Sequence, residues 1–342
     1  MVLTIAIPTY NRPDKVKNTV LRLLPQLTAD VKIVILDNCS MVVIKDHLEN
    51  TIGKEVSEKV EVVRNRVNIG ADSNFQRCFE LCTTPYLWML GDDDKIEDNA
   101  VGLILGELEK YKHLDLIGIN FNSNCNTFKR TAAVTISSTA ELAEKLDHFG
   151  NWLFISTSVY KAEEYLKHIR YQAWGAYSMA SQLVPPMVAI SKNKTFILSE
   201  KYIVTNIEAD EDDPGGKWSN YQLALSLPTL IEAPVGFKKD EFKKFGQKLE
   251  TWLGLYPGDA LYIILRSVNY NIDLIDDFHI YLYKQLFYRS FLFRSNKKFQ
   301  AMQYYQCLFL LKNKKALKLL VKLVPKIKKK ADEKGSFSLF KR

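Results

Sequence analysis

The sequence predicts an α/β fold in which helices cover both faces of a mostly parallel sheet, followed by a mainly helical C-terminal region. Over the first 120 residues, short apolar runs alternate with segments of helical periodicity. This alternation is typical of parallel strands joined by crossover helices. Polar turn-forming residues follow the apolar runs, and helical patterns dominate after residue 217.

Five strands and four helices are expected in the first 120 residues. The strands are predicted at Leu3–Ile7, Lys32–Leu36, Val60–Arg64, Tyr86–Leu90 and Leu114–Ile119. The helices are predicted at about residues 13–27, 41–50, 71–82 and 97–112. In sheets of this type, ligands bind beyond the carboxyl ends of the strands. We therefore expect the chemistry to lie directly after the first four strands.

The second part of the chain has a less regular pattern. Two further strands are predicted at Phe128–Ile136 and Thr195–Val204, and two helices near 139–147 and 159–168. Residues 208–217 are acidic and rich in turn formers, which predicts a mobile loop and a domain boundary. The expected domains are therefore 1–207 and the helical region 218–342.

Composition narrows the class of protein. Hydrophobic residues make up 47% of the chain and charged residues 25%, values that are ordinary for a folded globular protein. We expect neither a signal peptide nor a membrane-spanning helix, because no basic start or long apolar run is present. The five scattered cysteines are expected to be free thiols in a reducing cytoplasm.

Charge is distributed unevenly along the chain. Residues 284–342 contain 17 Lys and Arg and two acids, whereas the rest contains 30 bases and 37 acids. Within this basic tail, Lys314, Lys315, Lys318 and Lys322 share one helical face, and Leu317, Leu320, Val321 and Val324 share another. Such a helix can bind an anionic membrane surface, or it can dock on the protein with its lysines in solvent. No nucleic-acid-binding motif accompanies the charge.

Three consecutive acids, Asp92, Asp93 and Asp94, follow the fourth predicted strand. Adjacent carboxylates repel one another unless a cation offsets their charge. Mg²⁺ or Mn²⁺ takes one or two carboxylates as ligands and completes its shell with phosphate oxygens and water. Asp92 and Asp94 are expected to face the same side, with Asp93 pointing away. The alternative is a solvated turn in which Asp94 caps the next helix.

Polar residues also follow the first two strands. Asp37 ends the second strand and is suited to accept hydrogen bonds from a base or a ribose. Thr9, Tyr10 and Arg12 follow the first strand and offer a hydroxyl, a ring and a cation near the same edge. Together they predict part of a nucleotide pocket.

The third strand is followed by a segment with the sequence RNRVNIG. Asn65 and Asn68 supply side-chain amides, and Gly70 precedes a helix whose N-terminus favours negative charge. The four segments together predict a site for a nucleotide whose diphosphate is neutralised by metal.

The order of these motifs resembles that of the family 2 glycosyltransferases of the GT-A fold. The motifs are IPTYNR, LDNCS, RNRVNIG followed by Asn74, and WMLGDDD, and the similarity covers residues 1–120. Within the family, LDNCS, NIGADSNF and the later NWLFISTSVY are most similar to bacterial O-antigen, capsule and lipooligosaccharide transferases. The abequosyltransferase-like group is the nearest.

The resemblance implies an organisation and a set of roles. Residues 1–120 would form the nucleotide-sugar half of the catalytic domain, and 121–207 the acceptor half. Asp37 would contact the base, Asp92 the ribose or diphosphate, and Asp94 a Mn²⁺ or Mg²⁺ ion that Asp92 also approaches. The rest of the donor site would comprise Pro8, Thr9, Tyr10, Arg12, Asn65, Asn68 and Asp93. The acceptor would be a saccharide, lipid-linked at the cytoplasmic face of the membrane.

The sequence departs from the family pattern at the catalytic base. Inverting members use a carboxylate downstream of the metal motif to deprotonate the acceptor hydroxyl, but residues 165–199 contain no Asp or Glu. The remaining candidates are Asp147, His148, Glu163, Glu164, His168, Glu200 and the cluster Asp210–Asp213. Asp212 and Asp213 are favoured, because a mobile loop beside the cleft can close over bound donor. Inversion itself is implied only by the resemblance.

Two other functions remain open. A nucleotidyltransferase that forms sugar nucleotides also uses metal-bound phosphates, but its Gly-rich loop is missing after the first strand. A non-catalytic protein on a transferase fold, which binds a membrane or a polyanion, is the second alternative. The presence of Asp37, Asp92 and Asp94 argues against it.

Overall fold

A computed structural model of the 342-residue chain provides the structure. It describes residues 1–123, 129–178, 180–204, 230, 233–253, 261, 264–265, 268, 270–289 and 299–333. The chain divides into two compact units, Met1–Lys217 with Thr229–Lys248, and Trp218–Pro228 with Leu249–Arg342. The predicted acidic loop at 208–217 lies outside the described residues.

An eight-stranded sheet forms the centre of the first unit. Its strands are β1 Leu3–Thr9, β2 Val31–Asp37, β3 Val60–Arg64, β4 Tyr86–Met89, β5 Leu116–Ser123, β6 Val134–Ile136, β7 Ser158–Lys161 and β8 Thr195–Val204. Their order is β3-β2-β1-β4-β7-β5-β8-β6. The first four in this order are parallel, as are β5 and β8, whereas β7 and β6 are antiparallel to their neighbours.

Helices cover both faces of this sheet. The helices are α1 Pro13–Leu23, α2 Ile44–Ile52, α3 Lys54–Ser57, α4 Ala71–Glu80, α5 Ala100–Tyr111, α6 Thr139–Lys145, α7 Phe149–Leu153, α8 Ala162–Leu166 and α9 Val184–Ile190. One core cluster joins α1, α2 and α5 to alternate residues of β1 and β2. Every residue of β1 is buried, so its other face is covered as well. The predicted fold class is confirmed.

Several predicted boundaries differ from those of the structure. The first helix ends at Leu23 and continues as a 3₁₀ turn at Leu24–Gln26, because Pro25 cannot continue the α-helical hydrogen bonds. The sixth strand covers only Val134–Ile136; Phe128 lies outside the described residues. The predicted fifth strand, Leu114–Ile119, runs from Leu116 to Ser123.

The helix predicted near 159–168 is wrong at its start. Residues 158–161 form β7, and a helix follows only at Ala162–Leu166. A four-residue strand is too short to show a clear period in the sequence. This strand is inserted between β4 and β5 and runs antiparallel to both. It therefore brings the segment before Ser158 to the carboxyl end of β4.

The described residues of the second unit are mainly helical. Helix α10, Lys239–Leu253, begins in the first unit, and α11 Asp277–Arg289, α12 Phe299–Lys312 and α13 Lys314–Glu333 belong to the second. Tyr283 of α11 and Tyr304 of α12 stack with ring centroids 5.4 Å apart. The predicted mainly helical C-terminal region is confirmed. No helix in the described ranges is long and apolar enough to cross a membrane.

Candidate active site

The carboxyl ends of β1 and β4 bring a cation, a hydroxyl and two acids together. Nη1 of Arg12 lies 3.0 Å from Oδ1 of Asp92 and 3.1 Å from Oδ2 of Asp93. The hydroxyl of Thr9 donates to Oδ2 of Asp92 at 2.6 Å, and Nζ of Lys15 lies 3.9 Å from Asp93. Residues that follow two different strands therefore form one polar cluster, as the fold predicts.

Asp94 is buried on the side of this turn that faces β7. The hydroxyl of Ser156 donates to Oδ2 of Asp94 and accepts the backbone N–H of Gly91 at 2.8 Å. The carbonyl of Ser156 accepts the indole N–H of Trp88, also at 2.8 Å. A methyl group at Gly91 would overlap the Asp94 carboxylate, so a larger residue at this position would have to displace that carboxylate.

This arrangement differs from the expected orientation of the three acids. We expected Asp92 and Asp94 to face one side and Asp93 to point away. Instead, Asp92 and Asp93 share the guanidinium of Arg12, while Ser156 holds Asp94. The reason is the hydrogen bond between Gly91 and Ser156, which ties the turn to the segment before β7.

The surroundings of Asp92 and Asp94 raise the pKa of both carboxyl groups. Burial raises the pKa of Asp94 to about 7, and the charges on Asp93 and Asp92 act in the same direction, against the hydrogen bond from Ser156. Burial also raises the pKa of Asp92, although the Arg12 guanidinium opposes this shift. Burial therefore disfavours the charged forms of both acids.

We tested whether a divalent ion suits these residues. Among the described residues, no group of three or more His, Cys, Asp or Glu side chains is arranged to hold a metal by itself. The three acids nevertheless offer hard oxygen donors, and the charges of the buried Asp92 and Asp94 would be stabilised by a cation. Mg²⁺-type ions are commonly held by one or two carboxylates together with substrate phosphates. The three acids therefore suit a divalent ion that binds together with the phosphates of a substrate.

The end of β2 forms a second polar cluster around Asp37, which is fully buried. Nη1 of Arg64 lies 2.5 Å from Oδ2 of Asp37, and the backbone N–H of Ser40 donates to Oδ1 at 2.8 Å. The Ser40 hydroxyl accepts the backbone N–H of Asn11 at 2.8 Å. The loops after β1 and β2 are therefore joined, with Asp37 and Arg64 side by side at the end of the sheet.

Side-chain amides connect the loops after β2 and β3. The side-chain N–H of Asn38 donates to Asn68 at 2.8 Å, and that of Asn65 donates to Asn38 at 3.0 Å. Asn65 also donates to Asn74 of α4 at 2.8 Å. Gly70 has φ 81°, a conformation that glycine adopts without strain. These amides are engaged with one another, so they fix the loop before α4.

The remaining two donor-site candidates lie at the end of β1. Pro8 is buried within the strand and pairs with Leu36 of β2. Tyr10 follows the strand, and 45% of its surface is exposed. The two therefore differ in what they offer: Pro8 shapes the strand, whereas the Tyr10 ring is accessible for stacking.

Two of the candidate bases on the acceptor side are held by structural contacts, and the pKa of a third is lowered. Asp147 receives two hydrogen bonds from the buried guanidinium of Arg130, at 2.6 and 3.1 Å. Nδ1 of His148 accepts the backbone N–H of Asn151 at 3.0 Å and caps α7. A hydrogen bond from its own backbone holds the pKa of Glu200 low, which weakens it as a base.

The candidates that follow β7 lie at the wrong edge of the sheet. Lys161, the last residue of β7, pairs with Tyr86, the first residue of β4. Glu163 and Glu164 therefore follow the strand at the edge opposite the carboxyl end of β4. Burial alone would raise the pKa of Glu164, but hydrogen bonds from lysines outweigh it and lower this pKa. His168 is buried beyond the same helix.

The favoured base candidates, Asp212 and Asp213, lie outside the described residues. Among the described carboxylates, Asp72 has features that the sequence did not reveal. It lies in the first turn of α4, directly after the asparagine-rich loop. Burial raises its pKa, against hydrogen bonds from the hydroxyl and backbone of Ser181.

Sequence reasoning also missed two residues that support Asp92 and Asp94. Ser156 is fully buried against Asp94, and the hydroxyl of Thr19 in α1 donates to the backbone carbonyl of Asp92 at 2.8 Å. The sequence signals for Ser156 are its place in the segment NWLFISTSVY, which carries part of the family resemblance, and in the polar run STS within it.

Comparison with known proteins gives a consistent family assignment. A model described as "Glycosyl transferase family 2" matches residues 4–174, half of the chain. The abequosyltransferase RfbV of Salmonella typhimurium (strain LT2) is 28% identical over 109 residues, 30% of this chain and 32% of RfbV. The match therefore spans about a third of the length of that relative.

The fold is similar to that of residues 1–349 of TarS from S. aureus. The crystal structure of that fragment has a TM-score of 0.56 at 13% identity, over 100% of this chain and 94% of TarS 1–349. Its complex with UDP-GlcNAc has a TM-score of 0.57 at 12% identity, with the same coverage. At these identities the similarity shows a shared fold, and it confirms the expected GT-A-type architecture.

Proposed function

Because the chain belongs to glycosyl transferase family 2, we propose that it transfers a sugar from a nucleotide-diphosphate sugar to a saccharide acceptor. The observation that carries this proposal is the cluster in which Arg12 and Thr9 contact Asp92 beside the buried Asp94. It offers a cation and oxygen ligands at the edge where α/β sheets bind nucleotides. The TarS fragment of the same fold was crystallised with UDP-GlcNAc, which belongs to the donor class proposed here.

We propose that residues 1–120 bind the donor. Asp37 would accept hydrogen bonds from the base, and the exposed ring of Tyr10 would stack on it. Arg12 would exchange part of its contact with the acids for the donor diphosphate. The proposed donor-binding set is Pro8, Thr9, Tyr10, Arg12, Asp37, Asn65, Asn68, Asp92 and Asp93.

We assign the metal to Asp94 and Asp92, with Mn²⁺ or Mg²⁺ as the ion. When bound, the ion supplies positive charge to the diphosphate as it leaves. The role of this chain is to hold the two carboxylates in place: Ser156 fixes Asp94, and Thr9 and Arg12 fix Asp92. The raised pKa of Asp94 supports the assignment, because a cation would offset the cost of its charge.

Residues 121–207 would bind the acceptor, and a carboxylate would take the proton from its attacking hydroxyl as the bond to the anomeric carbon forms. This hydroxyl would attack the anomeric carbon from the face opposite the nucleoside diphosphate, which leaves with the electrons of the broken bond, so the single displacement would invert the sugar configuration. We propose Asp212 or Asp213 as this base, with the 208–217 loop closing over the donor. The transferred group would be a hexosyl or deoxyhexosyl unit.

The biological setting is proposed from the abequosyltransferase match and from charge. A lipid-linked saccharide would be the acceptor, in the synthesis of O-antigen, capsule or another surface polysaccharide. The protein would act in the cytoplasm as a peripheral protein on the inner face of the plasma membrane, held by its basic segment 284–342.

A transfer assay tests this function. Purified protein is incubated with a panel of nucleotide-sugars, Mn²⁺ and a lipid-linked saccharide, and the product is detected by mass spectrometry. We expect the acceptor to gain one sugar. Asp92→Asn is expected to reduce the rate about 100-fold or more. The matched control is Asp98→Asn, which alters an exposed acid six residues further on and should leave the rate unchanged.

Two results would reject the proposal. One is the release of pyrophosphate with formation of a nucleotide-sugar, which would identify a nucleotidyltransferase. The other is the absence of binding to every nucleoside diphosphate tested, which would favour the non-catalytic alternative.

A further inference from the structure

Helix α12 carries an exposed apolar stripe that the proposed active site does not use. Met302, Tyr305 and Phe309 are spaced by three and four residues, so they lie on one face of the helix. Their surfaces are 49%, 65% and 61% exposed. The opposite face carries Tyr304 and Cys307, which are buried in the core of the second unit. The stripe therefore points away from that core.

Helix α13 does not present the apolar face that its sequence predicts for lipid. Leu317 is fully buried, and Leu320 and Val321 pack against the same core. Val324 lies outside the described side chains. The alternative in which this helix docks on the protein therefore accounts for its main apolar face.

Part of the basic face of α13 is also engaged. Nζ of Lys318 lies 2.7 Å and 2.8 Å from the carboxylate oxygens of Asp273, and Lys314 donates to the Asp273 carbonyl at 3.1 Å. Lys315 and Lys322 remain exposed on the outer side, next to the exposed Leu319. The outer side of α13 thus combines cations with an apolar group, and α12 ends in one further exposed lysine, Lys312.

Charge indicates which partner fits this surface. Residues 299–323 contain five lysines and no acid. Lys318 is paired with Asp273, but Lys312, Lys315 and Lys322 leave the outer side positively charged, so two copies of the surface would repel each other. An anionic lipid bilayer provides the opposite charge and an apolar layer beneath it. Aromatic side chains and lysines with long apolar stems are suited to this boundary.

We propose that the outer face of α12 and α13 binds anionic membrane lipid, with Met302, Tyr305 and Phe309 inserted among the headgroups and Lys312, Lys315 and Lys322 contacting phosphates. This refines the membrane partner in the proposed function by assigning the contact to the α12 stripe instead of the Leu317 face of α13. It does not require transferase activity, so a binding assay tests it separately.

The test is co-sedimentation of the full chain with vesicles. Wild type is expected to bind vesicles of phosphatidylglycerol mixed with phosphatidylcholine, and to bind phosphatidylcholine alone weakly. Tyr305→Ser/Phe309→Ser should weaken binding about tenfold or more. Replacing Lys312, Lys315 and Lys322 by Gln should weaken it by about 100-fold. Leu21→Ser is the matched control, because it removes an exposed apolar residue of the first unit and should bind as wild type.

Circular dichroism and the thermal unfolding midpoint establish that each variant is folded. The proposal is overturned if folded Tyr305→Ser/Phe309→Ser binds as tightly as wild type, or if neutral and anionic vesicles bind equally. Tighter binding to single-stranded DNA than to anionic vesicles would assign the surface to a polyanion instead. A dimer that dissociates in Tyr305→Ser/Phe309→Ser would assign it to a second copy of the chain.

Discussion

Ser156 donates its hydroxyl to the carboxylate of Asp94 across 62 positions of sequence. The same hydroxyl accepts the backbone N–H of Gly91, so one buried side chain fixes both the turn and the acid within it. The short antiparallel strand β7 makes this contact possible, because it places the preceding residues beside the end of β4.

Ser156→Ala should weaken metal binding without removing a metal ligand. Asp94 would lose its donor and Gly91 would lose its acceptor, which together should cost about 1 to 3 kcal/mol of unfolding free energy. Affinity for Mn²⁺, measured by calorimetry in the presence of nucleoside diphosphate, should fall about 10- to 100-fold. Ser191→Ala is the control, because its part-buried hydroxyl bonds only within its own helix end. Equal losses in both variants would show a merely structural role.

A pair of glycine substitutions tests the packing of the acidic turn. Gly91→Ala places a methyl group against the Asp94 carboxylate, and overpacking of this kind costs about 1 to 3 kcal/mol. Gly106→Ala lies within α5 and meets no atom within 4 Å, so it should stabilise the protein by about 0.5 to 1 kcal/mol. Thermal and urea unfolding would measure both. Two changes of the same sign would contradict this account of Gly91.

The fold could be predicted from sequence where each element shows its own pattern. The bounds of β3 and β8 match the predictions, because both segments are rich in β-branched and aromatic residues. Strand β7 could not be predicted, since four residues carry no readable period and its partners are distant in sequence. The contact between Ser156 and Asp94 could not be predicted for the same reason, because it depends on this strand.

The candidate site could likewise be predicted only in part from the sequence. The sequence indicated which residues follow the strands, because the carboxyl ends of parallel strands share one edge. It did not indicate which acids share a partner, since that depends on Arg12 and Ser156 together. On α13, periodicity identified the apolar face around Leu317 but not what covers it, which is the core of its own unit.

The pH dependence of stability should reveal the cap formed by His148. Burial lowers the pKa of His148, with Arg130 acting in the same direction and Asp147 against it. A group whose pKa is depressed by folding contributes stability above its unfolded pKa and loses it as pH falls. Between about pH 7.5 and 5.5, wild type should therefore lose more unfolding free energy than His148→Asn, whose cap does not titrate. Parallel pH profiles from urea unfolding would refute this prediction.

Two sets of variants separate the candidate bases. Asp212→Asn/Asp213→Asn is expected to lower kcat about 100-fold or more, because no group would take the acceptor proton. Donor affinity should change little. Asp72→Asn should retain most of its kcat, since Asp72 is hydrogen-bonded to Ser181. The reverse outcome, with a large loss of kcat only in Asp72→Asn, would assign the base to Asp72.

The central claim is that this chain binds a nucleotide-sugar through a metal held by Asp94 and Asp92. Calorimetric titration of wild type and Asp94→Asn with a panel of nucleoside diphosphates, with Mn²⁺ or with a chelator, tests it most directly. We predict that wild type binds one nucleoside diphosphate at least about tenfold more tightly with Mn²⁺, and that Asp94→Asn shows no such gain. Binding that is unaffected by Mn²⁺ and equal in the two proteins would contradict the account.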